Sequence, residues 1–294
     1  MCSNLMIGTA QFGQKYGIAS GYNQVSEEES KDILKLAYDS GIRWIDTAGV
    51  YGCAETILGK NDLISNFNIV TKVFLNKGLE SPKKILEYIR KSIINMGIKK
   101  LYGVLVNDPN DLILDNRRDE VFENILSAKN LGLVEKIGVS VSFPEQATAI
   151  IEKYNIDLIQ IPCNILDQRF VKSGLVEKLA DKNIEIHVRS IFLQGLLLME
   201  TERIDAYFDQ IKPFLINLKN IAMNSGTSIR KIAIGYIKSL AEISKVVVGV
   251  DNVSQLEQII CDWSENSASV DFDQFSISDE KFIVPSNWDN VRRV

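Results

Sequence analysis

Residues 68–106 read NIVTKVFLNKGLESPKKILEYIRKSIINMGIKKLYGVLV. The stretch opens on a β-branched run, Asn68–Val73, and closes on another, Leu101–Val106. Between them Ser81-Pro82 offers an N-cap and a first helical residue. Ile85, Leu86, Ile89, Ile93 and Met96 then recur at helical spacing. A strand, an amphipathic helix and a second strand form a βαβ unit, and repetition of that unit implies a parallel sheet.

The alternation continues on both sides. Upstream lie the strand-like Asn4–Gly8, a helix with Ile33, Leu34, Ala37 and Tyr38 on one face, and Arg43–Thr47. Downstream, Val121, Phe122, Ile125 and Leu126 mark a helix before Lys136–Ser140. Ala147, Ile150, Ile151 and Tyr154 mark the next, before Asp157–Ile161. Leu175, Val176 and Leu179 precede Ile184–Arg189. Helical patterns at about 205–223 and 228–241 precede Lys245–Gly249, and Leu256, Ile259, Ile260 and Trp263 close the series. Eight strand candidates, each followed by a helix, predict an α/β fold, a closed (β/α)8 TIM barrel. A chain of 294 residues would divide into about two domains on length alone. No Pro/Gly/Ser-rich linker or shift of composition divides it, so residues 1–294 are expected to form one domain.

The 38 acidic and 33 basic side chains give a net charge of −5, which argues against an electrostatic nucleic-acid partner. The four cysteines stand apart with no metal-type spacing, so no metal is expected and the thiols suit a reducing compartment. No signal peptide or bilayer-length apolar run is evident, and a cytoplasmic location is expected. Oligomeric state is not legible. The single histidine, His187, excludes any mechanism that needs two; mid-strand in IEIHVRS, it reads as a satisfied core or barrel-interior residue. GxGxxG is missing. Gly8–Gly13 has the glycine spacing of a phosphate loop, but Gln14 stands where lysine is required.

In such a barrel, function sits where strands end. Those positions hold Asp46, Tyr51, Lys72, Asn107-Asp108, Ser140, Gln160, Asn164 and Arg189-Ser190. A lysine inside IVTKVF is costly to bury unless a carboxylate pairs with it, and Asp46 is the natural partner. An ammonium beside a phenol favours the phenolate, which makes a nearby tyrosine a usable proton donor. A purely structural Asp–Lys pair fits the same spacing.

The blocks WIDTAGVYG (44–52), CAETILG (53–59) and VTK (70–72) resemble the aldo-keto reductase superfamily, and the resemblance runs from IGTAQFG to VGVDNVSQLEQ. It implies a (β/α)8 barrel that uses NADP(H), with Asp46, Tyr51 and Lys72 as members of the catalytic tetrad. Tyr51 would be the general acid, Lys72 would assist it, and Asp46 would hold Lys72. The fourth position departs from the pattern: VLVNDPND places Asn107 where the family has histidine, as potassium-channel beta subunits of the superfamily also do. An asparagine amide still donates to a carbonyl oxygen but carries no proton.

The resemblance further implies that Gly8, Thr9, Ser140, Gln160 and Asn164 border the nicotinamide and that Arg189 stacks on it. Ser190, Leu193 and Gly195 would follow the pyrophosphate. Gly249, Asp251, Asn252, Ser254 and Gln255 would lie at the adenosine end. There Asp251 replaces a basic residue and opposes a 2′-phosphate, which weakens the family's preference for NADP(H) and leaves NAD(H) open. Asn252 or Ser254 equally suits an ordinary N-cap.

The expected activity is NAD(P)H-dependent reduction of a small aldehyde or ketone. GTAQFGQKYGIAS resembles a branch of the superfamily found with bacterial surface-polysaccharide enzymes, so a sugar-derived carbonyl is expected and carbohydrate metabolism is the expected setting. Asn107 keeps two alternatives open, a cofactor-binding redox sensor with negligible turnover and a cofactor-assisted epimerase or dehydratase. The resemblance implies that the stretch 264–294 is a loop closing over substrate, with Phe282 and Trp288 either lining the pocket or packing outside the barrel. Arg292-Arg293 read as solvated charges.

Overall fold

The computed structural model describes residues 2–19, 23–75, 81–114, 116–265, 270–288 and 291. Eight parallel strands close on themselves in sequence order: β1 (Leu5–Gly8), β2 (Trp44–Asp46), β3 (Asn68–Val73), β4 (Leu101–Val106), β5 (Val134–Ser140), β6 (Leu158–Pro162), β7 (Glu185–Arg189) and β8 (Ile243–Gly249). Gly8 pairs with Asp46 on one side and Gly249 on the other. Ser140 pairs with Gln160, and Pro162 with Arg189. The register thus brings the C-terminal ends of these strands to one rim.

Helices cover the outside, and their limits follow local chemistry. Helix Glu27–Asp39 starts at Ser26, whose side chain accepts from Glu29 N, and carries three acids in its first turn. The Ser81 hydroxyl caps a 3-10 turn, Pro82–Lys84, and the α-helix follows as Ile85–Met96. That helix ends at Gly97, whose positive φ closes it. The pattern expected at 205–223 resolves into a short 3-10 turn, Ala206–Phe208, and helix Lys212–Asn224 with Pro213 in its first turn. Helices Ile229–Lys238 and Val253–Ser264 complete the ring after β7 and β8.

The main apolar core lies between strands and helices; a smaller cluster, Met6, Val70, Leu105 and Leu158, packs separately with Trp44, Tyr102 and Val247 against it. At the N-terminal end of the barrel, Tyr102 Oη donates to Glu185 at 2.6 Å, and the Lys136 ammonium pairs with the same carboxylate. His187 is fully buried, with Nε2 2.6 Å from Glu185 Oε1 and Nδ1 without a partner among the described residues. The expected interior histidine is therefore satisfied on one nitrogen only. Burial raises the Glu185 pKa, but hydrogen bonds from His187, Lys136 and Tyr102 outweigh it and hold the carboxyl at about 2.

Phe282 and Trp288 are buried and pack against Phe208. Trp288 meets Phe208 edge-on at 5.0 Å and donates from Nε1 to Lys281 O. The packing alternative thus holds for both, and neither lines the cavity described below. Arg292 and Arg293 lie outside the described residues. Among the described residues, no helix is long and apolar enough to cross a membrane, and no cluster of three or more His, Cys, Asp or Glu could hold a metal ion.

Candidate active site

A cavity of about 700 Å³ opens at the C-terminal rim, in the range of small-molecule sites. Its centre is an ion pair built by neighbouring strands. Lys72 Nζ lies 2.6 Å from Asp46 Oδ1 and 3.2 Å from Thr47 O, with the two side chains 3% and 7% exposed. Gln160, from the opposite wall, donates to the other Asp46 oxygen at 2.8 Å. Both carboxylate oxygens are therefore engaged, as a buried charge requires. Burial works against the ammonium, but Asp46 and the neighbouring Tyr51 more than offset it and hold the Lys72 pKa above the ordinary lysine value.

Tyr51 reaches this pair from the loop after β2, its ring centroid 5.3 Å from Lys72 Nζ. Two glycines set its position. A Cβ on Gly13 would fall 1.5 Å from the Tyr51 carbonyl oxygen. Gly52, at φ +54°, would place one 2.1 Å from the Gly13 oxygen. The loops after β1 and β2 thus press backbone on backbone, a contact only glycine allows. Asn107 directly follows β4 with its backbone N–H on Val73 O, while its amide makes no hydrogen bond among the described residues and lines the cavity.

All four expected catalytic residues, Asp46, Tyr51, Lys72 and Asn107, line this one cavity. So do Gly8, Thr9, Ser140, Gln160, Arg189, Ser190, Gly195, Gly249, Asp251 and Gln255. Thr9 also ties strand ends together, its hydroxyl lying within hydrogen-bond distance of Asp46 O (3.1 Å) and Thr47 Oγ1 (2.8 Å). Arg189 donates to Val141 O at 3.0 Å and Ser142 Oγ at 3.1 Å.

Four expected contacts, Asn164, Leu193, Asn252 and Ser254, lie off the lining. The Asn164 amide is committed to its own loop, donating to Ser190 O and accepting from Leu166 N and Asp167 N. Asn252 caps helix Val253–Ser264 by accepting from Gln255 N, the ordinary capping role weighed for it. The Leu193 side chain is fully buried in the core.

The cavity also holds residues that the strand-end reading passed over. Tyr16, in the loop after β1, is one of them. Ile18 N donates to Gln194 O at 3.2 Å, and a Cβ on Gly195 would meet Ala19 Cβ at 2.4 Å. The loops after β1 and β7 therefore touch beside the cavity. Ser190, Leu193 and Gln194 all hold positive φ, a concentration of backbone strain at the mouth. Arg203, Arg230 and Gln258 line the cavity as well. The GQKYG loop was a usable signal for Tyr16, whereas Arg230 begins a helix far in sequence from any strand end.

The residues suit a nicotinamide dinucleotide. Gly249 carries no side chain where a Cβ would fall 2.5 Å from Gln11 Nε2, so the rim stays open. The donor set supplies amides and hydroxyls near the ion pair and arginines beyond it.

A model of the Aldo/keto reductase family matches residues 4–279. The chain is 24% identical over 298 residues to L-galactose dehydrogenase of Arabidopsis thaliana, covering 96% of this chain and 92% of that one. It is 24% identical over 285 residues to D-threo-aldose 1-dehydrogenase of a Pseudomonas species, covering 83% and 86%. Its fold is similar to an aldo-keto reductase of Bacillus halodurans at TM-score 0.73, with 20% identity and 92% and 90% of the two chains covered.

Proposed function

The chain belongs to the aldo/keto reductase family and is an NAD(P)-dependent oxidoreductase, and on that premise we propose that it reduces a sugar-derived aldehyde or ketone with Tyr51 as general acid. The observation that carries the reading is that the Asp46–Lys72–Tyr51 arrangement and Asn107, whose amide makes no hydrogen bond among the described residues, line one cavity.

A bound nicotinamide supplies the hydride. Tyr51 gives its phenolic proton to the carbonyl oxygen as negative charge develops there. The Lys72 ammonium, fixed by Asp46, stabilises the phenolate left behind. Gln160, bonded to Asp46, keeps that carboxylate turned toward Lys72. Asn107 donates an N–H to the carbonyl oxygen and orients it, but supplies no proton. Reduction is accordingly slow or restricted to substrates that Asn107 positions well. The sugar assignment is supported by the two relatives, which are named for sugar substrates. NADP(H) is the preferred cofactor, with NAD(H) accepted more weakly.

The test is NAD(P)H oxidation against a panel of aldoses, ketoses and simple carbonyls, for the wild type and Tyr51→Phe. Turnover lost in the variant while cofactor binding persists supports the assignment. Equal rates would remove Tyr51 as the acid.

A further inference from the structure

We propose that Arg230 is the residue that selects a dinucleotide carrying a phosphomonoester on its adenosine ribose. The proposal rests on reading the cavity as a nicotinamide-dinucleotide site. Barrels of this class commonly hold phosphates with the loops after strands seven and eight. The cavity extends into that quarter, where Arg203, Arg230, Asp251, Gln255 and Gln258 line it.

Asp251 repels an anion at the very position where a cation would be useful. Its carboxylate accepts from Gln255 Nε2 at 3.3 Å, while Gln255 Oε1 accepts from the Asp251 N–H at 2.9 Å. That exchange folds the two side chains onto each other and leaves no cation in the segment after β8 to meet a phosphate.

Helix Ile229–Lys238 supplies one instead. Arg230 Nε donates to Asp262 Oδ2 at 2.6 Å and Nη1 to Gln258 Oε1 at 2.7 Å. The pair is sheltered, at 23% and 12% side-chain exposure. Nη2, with two N–H donors, makes no hydrogen bond among the described residues. With Nε and Nη1 both engaged the guanidinium has already lost its rotamer freedom, so a phosphate on Nη2 meets a donor held in place. The other cations on the lining are differently engaged. Lys72 belongs to Asp46, and Arg189 is tied to Val141 O and Ser142 Oγ. Arg203 is exposed and makes no ion pair among the described residues, so it adds charge without a fixed direction.

The test is fluorescence titration of the full-length chain with NADPH and NADH, for the wild type, Arg230→Gln and Arg230→Lys, with a thermal melt to verify folding. Arg230→Gln is expected to weaken NADPH by about 10–100-fold, the worth of a charge-assisted contact, and NADH by less than about 2-fold. Arg230→Lys keeps the charge without the anchored guanidinium, so it falls between. The salt dependence of NADPH affinity flattens in Arg230→Gln. Unchanged NADPH affinity, or an equal loss for both dinucleotides, overturns the proposal alone. A wild type that binds neither dinucleotide overturns it together with the reading beneath it.

Discussion

Replacing Lys72 by methionine keeps the volume of the side chain and removes its charge. In the wild type, Asp46 takes Lys72 at 2.6 Å and Gln160 at 2.8 Å with its side chain only 7% exposed. The variant leaves that carboxylate with a neutral amide and almost no water. A solvent-exposed pair would cost about 0–1 kcal/mol to break, but stranding one partner of a buried pair costs about 3–5 kcal/mol. Lys72→Met should therefore lower stability by about 3 kcal/mol or more at pH 7, measured by urea denaturation. Lys72→Met combined with Asp46→Leu should recover much of it, because no buried charge remains. The folded pKa of Lys72 is raised. The pair's contribution is thus fully present below the unfolded lysine value of about 10.4 and is lost as pH rises through the folded one. The gap between wild type and variant should accordingly narrow only in strong alkali. Turnover should fall by about 10²–10⁴-fold, since the phenolate loses its counter-charge. A stability loss below about 1 kcal/mol, or a double variant worse than the single, would refute the reasoning.

Gly13→Ala forces a methyl onto the Tyr51 carbonyl oxygen; it should cost about 10²-fold in kcat through displacement of Tyr51, with cofactor affinity held by fluorescence titration. Asn107→His should raise kcat by about 10-fold or more by restoring an ionisable donor, read by steady-state kinetics, and an unchanged rate would show that the asparagine is fitted to its substrate. Glu185→Gln should destabilise the barrel floor by about 3 kcal/mol at neutral pH, following the drop of the carboxyl from 4.5 to about 2. Because that pKa is depressed, the stabilisation is complete above 4.5 and disappears toward about 2. Denaturation curves of the two proteins should converge across that interval, with kcat per folded molecule unchanged.

The barrel was legible because each βα unit carries two periodicities, and the switch between them marks every strand end. The rim positions of Asp46, Lys72 and Asn107 followed from those ends. Tyr51 was found by its motif, while the reason for its placement, Gly13 against Gly52, joins two loops that sequence keeps 39 positions apart. Asn164 and Asn252 show the opposite failure. A polar residue near a strand end looks available until the structure shows its amide committed to a turn or a cap. The floor cluster of Tyr102, Lys136, Glu185 and His187 comes from β4, β5 and β7, and only the closure of the sheet brings those side chains together. Arg230 had no signal at all, since a basic residue in the first turn of a surface helix is ordinarily solvated.

The central claim is that Tyr51 protonates a substrate carbonyl in a nicotinamide-dependent reduction. Its most direct measurement is single-turnover oxidation of bound NADPH with a sugar-derived carbonyl substrate, comparing wild type with Tyr51→Phe at matched cofactor occupancy. Loss of about 10²-fold or more in the single-turnover rate, with NADPH still bound, is the predicted result. A phenylalanine variant that oxidises NADPH at the wild-type rate would contradict the account.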